Sequence, residues 1–195
     1  MDQAVRLQQL VDAFERDLPA LTIELGRLYL AEMPDDPSAL ALVGQAYVAI
    51  ARYEEGRAAY ERALTHCAPE RRSRLLALLG DLEQACANLA AAESFYRLAI
   101  KEAPNDASGY IYLGGMLAKV GRVSEAEPIL QRATECLRGC LDEAYLNLGF
   151  VLRARGEYLR ALEAFRESLR IDPEDQDSID ALRDMESVLF QFPEA

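Results

Sequence analysis

The chain has 195 residues, of which 51% are hydrophobic and 28% are charged, and its formal net charge at pH 7 is −12. A phosphate-binding surface needs a basic stripe, and the longest basic cluster is Arg71, Arg72 and Arg74, so we expect no nucleic-acid ligand. The long uncharged run at residues 37–51 is shorter than the roughly 20 apolar residues that span a bilayer, so we expect no membrane insertion.

The first 36 residues carry two amphipathic patterns. Apolar residues recur there at helical spacing, namely Leu7, Leu10, Val11, Phe14, Leu21, Leu25, Leu28 and Tyr29. The N-terminus has no continuous apolar core and no small-residue cleavage site, so we expect no secretory signal and a cytoplasmic location. We interpret residues 1–36 as a degenerate first copy of the repeat that follows.

From residue 37 onward, a Leu-Gly or Val-Gly dipeptide recurs with its glycine at Gly44, Gly80, Gly114 and Gly149. The spacings of 36, 34 and 35 residues are typical of stacked helical repeats. They predict repeats at residues 37–70, 73–106, 107–140 and 142–175, each made of helix, turn and helix. We expect Gly149 to be small because the two helices of its repeat cross there.

Three local departures from the pattern lead to expectations of their own. Glu83 and Ala87 stand where an apolar residue and a turn glycine are expected, so the turn of the repeat 73–106 should be less sharply defined. The inserted residues 71–72 should lie in a loop between repeats. Ser124 to Glu127 should form a capping box that opens the second helix of the repeat 107–140.

An amphipathic pattern over residues 176–192 ends the chain. Its apolar side carries Ile179, Leu182, Met185 and Leu189, and its other side is mainly acidic. A stack of repeats needs a terminal unit with a polar outer face. We therefore predict one domain over residues 1–195, an all-α, right-handed solenoid of about five repeats with a C-terminal capping helix.

The cysteines and the single histidine do not indicate a catalytic or metal-binding site. Cys136 and Cys140 are the only close cysteine pair, and Gly139 lies between them near the predicted helix end, so we interpret the four cysteines as small core residues. His66 and Cys67 are adjacent, and adjacent helical residues point about 100° apart. We expect no catalytic residue, no metal and no cofactor, and hence a protein that is not an enzyme.

The repeated positions resemble the tetratricopeptide repeat family. The clearest copy has Tyr145, Leu148-Gly149, Leu152, Gly156, Ala161, Phe165 and Pro173, and the resemblance covers about residues 37–175. No tryptophan is present, which departs from the family pattern. The resemblance implies a concave groove, lined by the first helix of each repeat, that binds a peptide or helix of a partner protein. The candidate groove residues are Arg74, Gln84, Ile111, Tyr112, Lys119, Leu146, Asn147, Phe150 and Arg153.

Their chemistry suggests how a peptide would be held. Arg74, Lys119 and Arg153 would pair with carboxylates, and Asn147 would bind the peptide backbone. Apolar anchors would enter near Tyr112 and Phe150. The family members that clamp the C-terminal carboxylate of chaperones use several asparagines and basic residues, of which only Asn147 is present, so such a ligand is not expected.

Two other functions stay open. The uncharged segment 39–51 and the apolar tail of Val188, Leu189, Phe190 and Phe192 would suit a secretion or assembly chaperone that shields a hydrophobic client. The same apolar ends could instead meet a second copy, making a homo-oligomer. Arginine outnumbers lysine by 19 to 2, which favours a bacterial source.

Overall fold

The computed structural model describes residues 3–191. Within that range the chain forms eleven α-helices and no β-strand, so the all-α prediction is confirmed. The helices are α1 (Gln3–Glu15), α2 (Pro19–Leu30), α3 (Pro37–Ala49), α4 (Tyr53–His66), α5 (Pro69–Ala85), α6 (Leu89–Glu102), α7 (Ala107–Lys119), α8 (Val123–Thr134), α9 (Leu141–Ala154), α10 (Tyr158–Ile171) and α11 (Gln176–Gln191).

The helices fall into two compact units. Unit 1 covers residues 1–102 with α1–α6, and unit 2 covers residues 103–195 with α7–α11. In both units each helix packs on the next one in sequence. The first helices of neighbouring repeats also contact each other: α3 contacts α1 and α5 in unit 1, and α7 contacts α9 in unit 2. This arrangement of helical pairs followed by a last helix confirms the predicted repeat architecture. The assignment of the whole chain to a single domain stays a prediction.

One turn geometry joins the two helices of every pair. In each turn one residue has positive φ, its N–H donates to the carbonyl three residues back, and the next N–H donates five residues back. The turn residues are Asp17, Ala51, Ala87, Gly121 and Gly156. The expectation of a poorly defined turn at Ala87 is therefore wrong. The same two hydrogen bonds hold its backbone at a φ of 60°, although it has a Cβ.

The glycine of each Leu-Gly or Val-Gly dipeptide lies under a large side chain of the second helix. A Cβ added at any of these glycines would come within 3.0 Å of that side chain, a separation that real Cβ atoms essentially never show. The pairs are Gly44 with Tyr60, Gly80 with Tyr96, Gly114 with Leu130, and Gly149 with Phe165. The glycine is thus required by the close approach of one ring or leucine side chain.

Two local expectations are corrected. Arg71 and Arg72 do not lie in a loop, because α5 begins at Pro69 and includes both of them; α5 has 17 residues, whereas α3 has 13. Proline suits the first position of a helix, where its missing N–H costs no hydrogen bond. The capping box at Ser124 is also absent: α8 begins at Val123 after Arg122, without a capping side chain, and Arg122 instead pairs with Glu125 at 2.6 Å.

Burial explains why α3 carries no charge. This helix packs against α1, α2, α4 and α5, and its residues Ala39, Leu40, Val43 and Ala46 are buried. The uncharged segment therefore belongs largely to the core. At the other end, α11 packs on α10 through Ala181 and Met185, while residue 192 of the apolar tail lies outside the described residues. None of the helices described is long and apolar enough to cross a membrane.

Candidate protein-binding pocket

Unit 2 contains an open pocket of about 300 Å³ between α7, α8 and α9. Three of the predicted groove residues meet there: Lys119 from α7, and Asn147 and Phe150 from α9. The remaining lining is apolar or small, consisting of Gly115, Ala118, Val123, Leu130, Val151 and Ala154. A mostly apolar concavity with a few converging polar groups is the usual form of a binding site.

Two side-chain choices open this pocket. Leu130 occupies the position that Tyr60, Tyr96 and Phe165 fill in the other repeats, and a leucine takes up less volume than those rings. Gly115, which follows the Leu-Gly dipeptide, has no atom within 4 Å of where its Cβ would stand. The missing ring and the missing side chain both leave space on the same side of α7.

The Phe150 ring forms a fixed apolar wall. It meets Phe165 edge to face, with ring centroids 5.3 Å apart and an angle of 64° between the planes. The Phe150 ring also contacts Arg153, whose guanidinium carbon lies 5.1 Å from the ring centroid. Arg153 is itself held by Asp184 of α11, with Nη1 3.0 Å from Oδ2. Because the partner ring of Phe165 is fully buried, Phe150 is preorganised to pack against a ligand.

Asn147 and Lys119 supply polar groups that the folded chain does not use. Asn147 is partly exposed, and within residues 3–191 its amide makes no side-chain hydrogen bond. Lys119 is exposed and forms no ion pair with any carboxylate in the same range. An amide can donate to and accept from a peptide backbone, and an ammonium can bind a carboxylate.

The other predicted groove residues have different surroundings. In unit 2, Tyr112 is 41% exposed and Leu146 is partly buried, whereas Ile111 is only 4% exposed and leaves almost no surface for a partner. In unit 1, Arg74 lies on α5 and is exposed. Gln84 has a structural contact, since its Oε1 accepts a hydrogen bond from the Tyr96 hydroxyl at 3.2 Å.

Among the pocket residues that the sequence analysis did not name, Val123 and Leu130 lie on α8 and Val151 lies on α9. The groove was expected to be lined by first helices alone, yet α8 also contributes to it. A signal for this was present in the sequence. Leu130 is the only one of the four residues facing the repeated glycines that is not aromatic, which marks the repeat with the most space.

The cysteines and the histidine have no reactive arrangement. The expectation that all four cysteines are core residues is wrong: Cys136 is buried, Cys67 is partly exposed, and Cys86 and Cys140 are exposed. Partial desolvation raises the pKa of the Cys136 and Cys140 thiols, and nearby carboxylates raise it further at Cys140, which disfavours the nucleophilic thiolate. His66 is exposed and lies 3.6 Å from Asp35, whose Oδ1 also accepts from Arg62. Among the residues described, no three metal-ligating side chains come together.

A family model described as "Tetratricopeptide repeat" matches residues 37–65 and 73–106, and a second model with the same description matches residues 142–175. Among curated proteins, the chain is 33% identical over 96 residues to Hsp70-Hsp90 organizing protein 1 of Glycine max, covering 47% of this chain and 16% of that protein. It is 32% identical over 98 residues to human Tetratricopeptide repeat protein 7A, covering 50% and 11%. The chain thus matches only a small part of the length of these relatives.

Solved structures show the same fold. TTC0263, a thermophilic protein of Thermus thermophilus, has a TM-score of 0.67 at 19% identity, covering 97% of this chain and 100% of its own. PilF of Pseudomonas aeruginosa has a TM-score of 0.68 at 18% identity, covering 92% and 80%. YrrB, described as a TPR protein with an unusual peptide-binding site, has a TM-score of 0.59 at 19% identity, covering 93% and 92%.

Proposed function

Because the chain belongs to the tetratricopeptide repeat family, we propose that it is a non-enzymatic interaction scaffold or adaptor that binds a peptide or helix of a partner protein in the pocket of unit 2. One observation carries the proposal. Two polar groups without an intramolecular use in the described part of the chain, the Asn147 amide and the Lys119 ammonium, border an apolar pocket whose Phe150 wall is held in place.

The pocket favours a ligand with one apolar anchor next to a carboxylate. The anchor would pack against Phe150, and the space beside Gly115 would admit it. Lys119 would pair with the carboxylate, and Asn147 would bind the peptide backbone. The Arg153 guanidinium stands beside the same ring, so a carboxylate there would compete with Asp184.

Two comparisons support this kind of ligand. YrrB, a structural neighbour, is described as having a peptide-binding site, and Hsp70-Hsp90 organizing protein 1 is named for the two chaperones it organises. The second likeness covers 16% of that protein, so we do not carry its partners over. We place the protein in a bacterial cytoplasm because its cysteines are free and arginine greatly outnumbers lysine.

The test is a selection of peptides from a phage-displayed random library on the immobilised protein, followed by Kd measurement with the winning synthetic peptide. Gly115→Leu should block the pocket without disturbing the fold, because leucine is a good helix former and the site is open. Ala90→Leu is the matched control, since it adds the same side chain at an exposed position of α6.

We expect the selected peptides to combine an apolar residue with Asp or Glu. Gly115→Leu should weaken binding at least about 30-fold, the effect of losing a central anchor. Asn147→Ala and Lys119→Glu should each weaken it to a smaller extent, and Ala90→Leu should leave it unchanged. Peptides that bind Gly115→Leu as tightly as the wild type would show that the pocket is not the binding site.

A further inference from the structure

Unit 1 contains a second and larger pocket, of about 450 Å³, which the proposed function does not use. It lies between the second helices α2 and α4, with the first helix α3 as its floor. Leu40 and Val43 of α3 form the floor, Ile23 and Leu30 belong to the α2 wall, and Ala58 and Ala59 belong to the α4 wall. An apolar pocket of this kind on the face of the second helices is a candidate interaction surface.

The next repeat shows what kind of side chain would fill it. The repeats of unit 1 are offset by 36 residues, so that Tyr60 corresponds to Tyr96 and Ala59 corresponds to Phe95. Phe95 packs against the core clusters that contain Leu76 and Leu79, which correspond to Leu40 and Val43. Where α6 supplies an aromatic ring over this surface, α4 supplies only a methyl group. The vacant volume is therefore suited to an aromatic ring from outside.

Two arginines stand on the rim of this pocket, each in an exposed ion pair. Arg27 of α2 and Arg62 of α4 stand on opposite walls. Arg27 pairs with Glu24 at 3.1 Å and Arg62 with Asp35 at 2.9 Å, and all four side chains are about half exposed or more. Exposed pairs of this kind contribute little free energy, so either arginine can exchange its carboxylate for one from a ligand. The occupant should thus combine an aromatic ring with a neighbouring carboxylate.

The chain itself carries that combination on α11. Phe190 is 88% exposed, the most exposed large hydrophobic side chain within residues 3–191. Glu186 precedes it by four residues, which places both on the same face of the helix. Glu186 pairs with Arg166 at 3.5 Å, and both of those side chains are more than half exposed, so this pair is also easily exchanged. The exposed face of α11 therefore carries both the aromatic ring and the carboxylate that such an occupant needs.

We propose that two copies of this chain associate by a heterologous contact, in which Phe190 of one copy enters the pocket beside Ala59 of the other. Glu186 then pairs with a rim arginine, Arg27 or Arg62. The contact is small, and the two copies repel each other because each has a net charge of −12, so the association is weak. It is best measured near 0.15 M salt, which screens this repulsion.

The experiment measures mass against concentration by analytical ultracentrifugation of the full chain. Phe190→Ala removes the ring, and Ala59→Phe fills the pocket from within, a change that α6 already accommodates at Phe95. Leu137→Ala is the matched control because Leu137 is 81% exposed and belongs to neither surface. Circular dichroism melts check that each variant is folded.

We expect the wild type to exceed its monomer mass of 21.7 kDa with rising concentration, and Leu137→Ala to behave in the same way. Phe190→Ala and Ala59→Phe should each associate at least about 30-fold more weakly. Mixing these two variants should restore a 1:1 complex, because one keeps the pocket and the other keeps the ring. A monomeric wild type, unaffected association in either variant, or a mixture that stays monomeric would each overturn the proposal.

Discussion

Ala87, like Ala51, departs from the backbone conformation that alanine prefers. It holds a φ of 60° in a turn where Gly121 and Gly156 hold the corresponding positions of later repeats. A Cβ in the left-handed region costs roughly 1–2 kcal/mol, and part of this is recovered because glycine loses more entropy on folding. The strain is sustained by two backbone hydrogen bonds, from Ala87 to Gln84 and from Asn88 to Glu83.

We therefore expect Ala87→Gly to raise the free energy of unfolding by about 0.5–1 kcal/mol. Urea denaturation monitored by circular dichroism measures the change. Ala58→Gly is the control, because Ala58 lies inside α4, where glycine lowers stability by about 0.5–1 kcal/mol. A loss of stability in both variants would mean that the turn does not impose the strain.

Gly149 and Gly115 permit the same substitution with opposite results. In Gly149→Ala the new methyl group meets the fully buried Phe165 ring, and overpacking of this kind costs about 1–3 kcal/mol. In Gly115→Ala the methyl group enters open space, and the free energy of unfolding should rise by about 0.5–1 kcal/mol because alanine favours the helix more than glycine does. The midpoints of thermal and urea unfolding should therefore fall for Gly149→Ala and rise for Gly115→Ala. Equal shifts would contradict the packing assigned to the Leu-Gly glycine.

At the scale of the element, Glu83 joins α5 to its neighbours through a buried carboxylate. It is 1% exposed, pairs with Arg57 of α4, and accepts a hydrogen bond from Asn88 at 3.0 Å. The other repeats carry Tyr47, Leu117 and Leu152 at this position. An apolar side chain is thus compatible with the helix pair, and Glu83 adds a polar link between α4 and the turn after α5.

Removing one partner of this ion pair should lower the free energy of unfolding more than replacing both partners by apolar residues. Glu83→Ala leaves a cavity and removes the carboxylate that pairs with Arg57. We expect it to lower the free energy of unfolding by about 3 kcal/mol. The double variant Glu83→Leu, Arg57→Met restores an apolar contact and should stay within about 1 kcal/mol of the wild type. Guanidinium denaturation of both variants provides the comparison. A double variant as unstable as Glu83→Ala would show that the ion pair itself is required.

The elements differ in how far the sequence predicts them. The helix pairs could be predicted because Leu-Gly spacing reports the one contact, glycine under a large side chain, that each repeat must make. The extension of α5 could not, because the two inserted residues 71–72 could either lengthen a loop or join a helix that starts early, as it does at Pro69. The gathering of Lys119, Asn147 and Phe150 was partly predictable from repeat phase, whereas the depth of the pocket depends on Leu130 in the second helix.

At the scale of the whole molecule, the two proposals use different faces of the repeat. The pocket of unit 2 lies mainly on first helices, and the pocket of unit 1 lies between second helices. Occupation of one therefore need not exclude occupation of the other. A protein with this arrangement could hold a partner peptide while it associates with a second copy, which is a useful property for a scaffold.

The two compact units also predict how the chain loses structure. The stability of repeat proteins is approximately a sum of local terms, and each unit keeps most of its contacts within itself. We expect Gly149→Ala to lower hydrogen-exchange protection in α7–α11 and to leave α1–α6 nearly unchanged. Gly80→Ala, which places a methyl group against Tyr96, should do the reverse.

Exchange followed by mass spectrometry of peptic fragments distinguishes the two outcomes, because fragments from both units are read in one experiment. Each glycine variant serves as the control for the other, since both overpack an equivalent ring. If either substitution lowers protection equally in all helices, the chain unfolds as one cooperative body. In that case a ligand bound in unit 2 would stabilise unit 1 to the same extent, and the two pockets would be thermodynamically coupled.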